Sequence, residues 1–231
     1  MFVLKNYLHL WILGVVAITE LIASSYCRYS TLNTFSDRTP PNVTGEGLVI
    51  RGDGLGYYAW LRSSMIDRDW DFANEFDQHN IFNDAVEGAQ TPTGRRTNTF
   101  SIGPAFLWSL GVMPSHFFVM TYGDDSPWPA DGYSYPYQWA VMVVSSTMSI
   151  LGIAFLYRFC VRFSEPVPAA LAVAFMHLGT TVFYYNTVEL TMGHNAGVFV
   201  ISLFLLIWQR TVPTSSLRGW FGKGSAWDFA C

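Results

Sequence analysis

Tyr137-Gln138-Trp139-Ala140-Val141-Met142-Val143-Val144-Ser145-Ser146-Thr147-Met148-Ser149-Ile150-Leu151-Gly152-Ile153-Ala154-Phe155-Leu156-Tyr157 contains no charged residue. A bilayer core requires about 20 consecutive, mostly apolar residues in a helix. This stretch therefore reads as a membrane span, and it decides the expected fold class: an all-α membrane protein. Three further stretches fit the same template. Residues 7–27 are interrupted only by Glu20, and residues 167–185 contain His177. The segment 192–208 is short, and residues from Leu190 to Asn195 extend it at its start. A weaker fifth stretch, from Phe100 to Met120, carries Pro104, Gly111, Pro114 and His116. Proline and glycine break long helices, so this piece is expected to be interfacial or re-entrant rather than a span.

Composition agrees. Hydrophobic residues make up 51% of the 231 residues and charged residues 13%, about half the share usual in soluble domains. A disordered chain would need the opposite balance. The net charge of −4 argues against a nucleic-acid binder with a broad basic face. The three cysteines, Cys27, Cys160 and Cys231, are far apart. Their spacing fits neither a zinc site nor a disulfide framework, and they read as small apolar fillers.

The charges are segregated. Between Arg28 and Tyr135 lie 13 of the 17 acidic residues and 7 of the 13 basic ones. Arg158 and Arg162 follow the second span, Arg210, Arg218 and Lys223 follow the fourth, and Lys5 precedes the first. With four spans these positions share one side, which the positive-inside rule makes cytoplasmic. The loop 28–135 and the turn 185–194 then lie outside. Tyr133, Tyr135, Tyr137, Trp139, Tyr184, Tyr185 and Trp208 stand at span ends, where amphipathic rings anchor in the interface. The first stretch has a competing reading as a cleaved signal peptide, with Ala23-Ser24-Ser25 as the small-residue site. Its apolar part is longer than such peptides use. Glu20 and His177 should face protein or a wet cavity rather than lipid.

The outer loop holds the chemistry. In Gly52-Asp53-Gly54-Leu55-Gly56, glycines permit close backbone approach and unusual dihedrals, so Asp53 is placed to sit at the floor of a site. A helical apolar pattern begins at Tyr57, so Asp53 also fits a simple helix cap. Next, Asp67, Asp69, Asp71, Glu75 and Asp77 interleave with Trp70, Phe72 and Phe76. Such a run suits a divalent cation, sugar hydroxyls beside aromatic walls, or a plain solvated connector. Arg95 and Arg96 form a basic pair suited to a phosphate or to lipid headgroups. Glu189 and His194 flank the outer turn, and would share a cavity with Asp53 and the acidic cluster. Asn42-Val43-Thr44 matches the glycosylation pattern, a weak signal.

Several of these motifs together resemble a known family. They are Gly52-Asp53-Gly54 with Tyr57-Tyr58 and Leu61-Arg62-Ser63, the run Asp69 to Glu75, and Asn98-Thr99-Phe100-Ser101-Ile102-Gly103-Pro104-Ala105 ahead of Leu107-Trp108. Glu189 with Met192-Gly193-His194 adds a further signature. The chain is similar to the amino-terminal part of bacterial multi-pass glycosyltransferases of the GT-C superfamily, near the protein-mannosyltransferase and aminoarabinose-transferase branch. The resemblance implies a transferase in the cell inner membrane, with its active face extracytoplasmic. It would move a hexose or pentose from a polyprenyl phosphate to an acceptor, with Asp53 as base and inversion at the sugar carbon. Asp69, Asp71, Glu75, Arg95, Arg96, Glu189 and His194 would bind substrate, and a divalent metal is an option. Family members are usually much longer, so the chain is expected to be an amino-terminal portion, possessing or lacking activity by itself. The competing expectations are a non-catalytic or degenerate multi-pass protein with an acidic outer loop, and a small transporter using Glu20 and His177.

Overall fold

The computed structural model describes residues 2–36, 49–50, 52–79, 90–122 and 128–211. The Asn42–Thr44 pattern and residues 212–231 lie outside them. Among the described residues the elements are helical: α1 (Phe2–Ser36), α2 (Asp53–Arg62), α3 (Ala73–His79), α4 (Gly103–Tyr122), α5 (Tyr135–Cys160), α6 (Pro166–Leu178), α7 (Thr181–Thr187) and α8 (His194–Thr211). A π-helical turn, Ser63–Asp67, continues α2. The one extended pairing among the described residues is an isolated bridge between Gln90 and Arg96.

Among the described residues, two helices are long and apolar enough to cross a membrane: Tyr7–Cys27 within α1, and α5, with mean hydropathies of 1.7 and 1.9. A third crossing is available if α6 and α7 act as one broken span, since they meet at a 69° bend. The expected span 167–185 is therefore interrupted. Gly179 ends α6, and the Thr180 side chain accepts from Val182 N–H at 3.3 Å to start α7. Side-chain capping of this kind satisfies an orphan donor of the new helix. The expected fourth span, 192–208, falls on α8, an 18-residue helix that ends in Gln209-Arg210-Thr211 and is not among the helices long and apolar enough to cross. These apolar helices point to a membrane-embedded protein.

The chain divides into two compact units. The first comprises residues 1–26, 146–190 and 194–231 and is a helix bundle. Val16 of α1, Ile153 of α5 and Val173 of α6 pack together in it. Helix directions follow from the contacts. Val16 meets Ile153, while His9 stacks on Tyr157, so α1 and α5 are antiparallel. Val16 meets Val173, and Glu20 meets His177, so α1 and α6 are parallel. A Cβ at Gly152 would lie 3.2 Å from Phe199 Cα, and Gln209 reaches the Phe159 carbonyl, so α5 and α8 run the same way. Glycine at the crossing lets the two backbones approach, as small residues do between membrane helices. The bundle thus gathers Arg158 of α5, Arg162 in the turn after it and Arg210 of α8 at the end where α1 begins. Trp11, Ile18 and Ile22 of α1 are more than half exposed, a surface suited to lipid rather than water.

The second unit comprises residues 27–145 and 191–193. Here the expectation of a broken segment at 100–120 is corrected: α4 is one continuous helix. Pro104 sits in its first turn, where the missing N–H is no loss. Gly111 serves a helix crossing, for its added Cβ would lie 2.7 Å from Val144 Cγ2 and 3.1 Å from the Ala140 carbonyl. Trp108 Nε1 donates to Ser145 Oγ at 2.9 Å, and His116 Nδ1 lies 2.8 Å from Tyr137 Oη. So α4 runs antiparallel to the first part of α5. Phe106, Leu110, Met113, Phe117 and Met120 recur at three- and four-residue spacing and are all exposed.

Candidate functional site

Asp53 is the first residue of α2. Gly52 before it has φ 57° and ψ −140°, a backbone state that side-chain-bearing residues rarely adopt. This geometry settles the competing cap reading. Gly52 occupies the cap position, with no side-chain cap bond. The Asp53 carboxylate makes no hydrogen bond with a described residue and is half-buried.

The neighbouring glycines are needed for packing. A Cβ at Gly54 would collide with Thr191, and one at Gly56 with the Phe100 ring. Thr191 Oγ1 donates to the Val49 carbonyl at 3.0 Å. Gly193 lies against the Tyr57 ring, 3.3 Å from its hydroxyl for an added Cβ. The turn 191–193 thus closes over the first turn of α2. Tyr57 stands one helical turn after Asp53. Burial, and then the Asp53 carboxylate, push its hydroxyl pKa up.

The far end of α2 is a buried charge network. Arg62 Nη1 donates to Asp67 Oδ2 and, at 2.9 Å, to Glu75 Oε1. Its Nε donates to the Asp131 carbonyl, and its guanidinium lies 5.0 Å from the Tyr133 ring centre. Asn74 also donates to Asp67. Burial pushes the Glu75 carboxyl up to about 7, against the opposing pull of Arg62. Tyr58 Oη donates to the Gly132 carbonyl at 2.6 Å. Gln138 Oε1 accepts from Val49 and Ile50 N–H, while its amide donates to the Tyr133 carbonyl. Together these bonds hold α2, and therefore Asp53, against the segment 131–138.

The acidic run is thus used internally. Asp69 Oδ1 accepts from Ser63 Oγ and Asp71 N–H, and Asp71 Oδ1 accepts from Ala73 N–H at the start of α3. Glu75 is fully buried on Arg62. Among the described residues, no three His, Cys, Asp or Glu side chains are grouped to hold a metal ion. The aromatics of the run do form a wall: Trp60 lies 5.9 Å from Trp70 and 4.8 Å from Phe72, and Trp70 is half exposed.

Arg95 is exposed, in a turn where its N–H and carbonyl bond to Thr91. Arg96 pairs with Gln90 through the backbone bridge. Glu189 and His194 belong to the bundle unit. Glu189 N–H donates to the Tyr184 carbonyl, and the exposed His194 stacks on Tyr185 with ring centres 4.0 Å apart. Sequence reasoning missed Arg62 and Gln138 as the residues that position α2. A charged or amide side chain inside an otherwise apolar helical face was the available signal.

Compared with protein-family models, curated proteins and solved structures, the chain matches none.

Proposed function

We propose that this chain transfers a sugar from a polyprenyl-phosphate donor to an acceptor at the extracytoplasmic face of the cell inner membrane, as the resemblance to GT-C glycosyltransferases implies. Asp53 is the base. It takes the proton of the acceptor hydroxyl as that oxygen attacks the sugar carbon, and the prenyl phosphate departs from the opposite face with inversion. Proton removal by a placed carboxylate suits a weak hydroxyl nucleophile. The leaving phosphate requires cationic stabilisation, the role of Arg95 and Arg96.

One observation carries the reading. The Asp53 carboxylate is placed by a left-handed glycine, half-buried at a helix start, and uncommitted to any described residue. A carboxylate set just after the unusual backbone of Gly52 and bonded to no described residue is better suited to a substrate than to the fold. The reading takes four spans, with α6–α7 as one broken crossing and α8 as the last. The alternating helix directions in the bundle support this count. Under it, Asp53, Glu189 and His194 share the extracytoplasmic compartment. The competing non-catalytic reading draws support from Asp69, Asp71 and Glu75, whose hydrogen bonds are structural.

The test supplies membranes bearing the chain with a panel of radiolabelled polyprenyl-phosphate hexoses and pentoses. Transfer of label to a lipid-free acceptor, abolished by Asp53→Asn and retained by Asp71→Asn, supports the proposal. Transfer equal in Asp53→Asn and unsubstituted protein removes Asp53 from the mechanism. Transfer of no member of the panel favours the non-catalytic reading.

A further inference from the structure

Across residues 7–27, 135–157, 166–187 and 194–209, Glu20 is the sole acidic residue, and there is no Lys or Arg. Both Glu20 and His177 are 0% exposed. His177 Nε2 lies 3.2 Å from Glu20 Oε2, at ion-pair distance but without hydrogen-bond alignment. Neither carboxylate oxygen and neither ring nitrogen has a hydrogen-bond partner among the described residues.

Register explains the level at which they meet. Val16, Ile153 and Val173 pack together. One helical turn further along α1 and α6 stand Glu20 and His177, and one turn back along the antiparallel α5 stands Ser149. The Ser149 hydroxyl is also fully buried and without a partner. An apolar layer is thus followed by a polar one. Phe183 of α7 presents its edge to the His177 ring at 6.1 Å, and Ser24 of α1 donates to the Leu21 carbonyl. His9 and Tyr157 stack on each other beyond the apolar layer, and Tyr185 stacks on His194.

An uncompensated charge in such a setting is strongly disfavoured, and an ionisable pair inside a membrane bundle marks a site. A carboxyl and an imidazole holding one proton between them are neutral overall. That proton sits on Glu20 Oε2 or on His177 Nε2; moving it from one to the other breaks the O–H bond as the N–H bond forms, requires the ring to turn into line with the carboxyl oxygen, and needs no co-reactant. With two protons, or none, the pair carries a net charge. We propose that Glu20 and His177 form a proton-binding site in the membrane core, holding one shared proton that ties α1 to the end of α6, next to the Gly179–Thr180 break. The site is independent of the proposed sugar transfer.

The test uses the full chain in lipid nanodiscs with ¹⁵N-histidine labelling at neutral pH. His177→Gln identifies the His177 ring signals. Glu20→Gln shifts those signals and leaves the other four histidines unchanged, because the imidazole loses its proton-sharing partner. Unchanged His177 signals in Glu20→Gln overturn the proposal. A second series covers variants that fail to fold. Glu20→Leu and His177→Leu each lower the yield of folded protein severalfold, and the double Leu variant recovers it, because the pair is dispensable together but not singly. A double variant no better than the worse single also overturns the proposal.

Discussion

Arg62 Nη1 donates to Glu75 Oε1 at 2.9 Å, and burial raises the Glu75 carboxyl to about 7. The folded state therefore binds the Glu75 proton more tightly than the unfolded chain, where the value is 4.5. The stability from this group is fully present below about 4.5 and is lost as pH rises through about 7. In detergent, the unfolding midpoint is expected to rise as pH is lowered from 8 to 5, by this group's contribution. Glu75→Gln should flatten that slope. An identical pH slope in the variant contradicts the assignment.

Asp53 bonds to no described residue, so Asp53→Asn should leave the unfolding midpoint unchanged. If Asp53 is the base, the same change should lower sugar transfer by about 10²–10⁴-fold, the usual contribution of a positioned proton acceptor. Paired measurements of melting and transfer separate the two effects. A large loss of stability would assign Asp53 to the fold instead.

Gly54 packs against Thr191 with no space for a Cβ. Gly54→Ala should therefore cost about 1–3 kcal/mol, as overpacking does. Thr191→Gly removes the Oγ1 and Cβ atoms that would lie 2.3 and 2.5 Å from that Cβ, and with them the bond to the Val49 carbonyl. The double variant should lose less stability than the two single losses added together. Chemical denaturation of the four proteins measures this, and additive losses would contradict the contact.

The exposed stripe Phe106, Leu110, Met113, Phe117 and Met120 on α4 is expected to face acyl chains. Phe117→Trp should be quenched by lipids brominated along their chains. Quenching by aqueous iodide and not by brominated lipid would place the stripe in water.

The legible parts of this molecule were those where hydropathy alone decides. Residues 7–27 and 137–157 are long and charge-poor, and α1 and α5 cover them. The α6–α7 break was not legible, because Gly179 and Thr180 interrupt an apolar run without changing its hydropathy. The continuity of α4 was hidden for the opposite reason. Pro104 and Gly111 look like breakers until the first turn and the α5 crossing explain them. At the candidate site, the glycines around Asp53 signalled a special backbone, and Gly52 has one. The Arg62–Glu75 pair was not legible. Its partners are joined through a π-helical turn and Arg68 at φ 60°, a reversal that no sequence period encodes.

The account's central claim is that Asp53 and Glu189 face the same compartment. Cysteine labelling tests it most directly. Asp53→Cys, Glu189→Cys and Arg162→Cys are each made in a chain whose Cys27, Cys160 and Cys231 are replaced by serine. A membrane-impermeant maleimide is then applied to intact spheroplasts. The account predicts labelling at positions 53 and 189 from outside, and at 162 only after permeabilisation. Labelling at position 189 only after permeabilisation, with 53 labelled from outside, would contradict it.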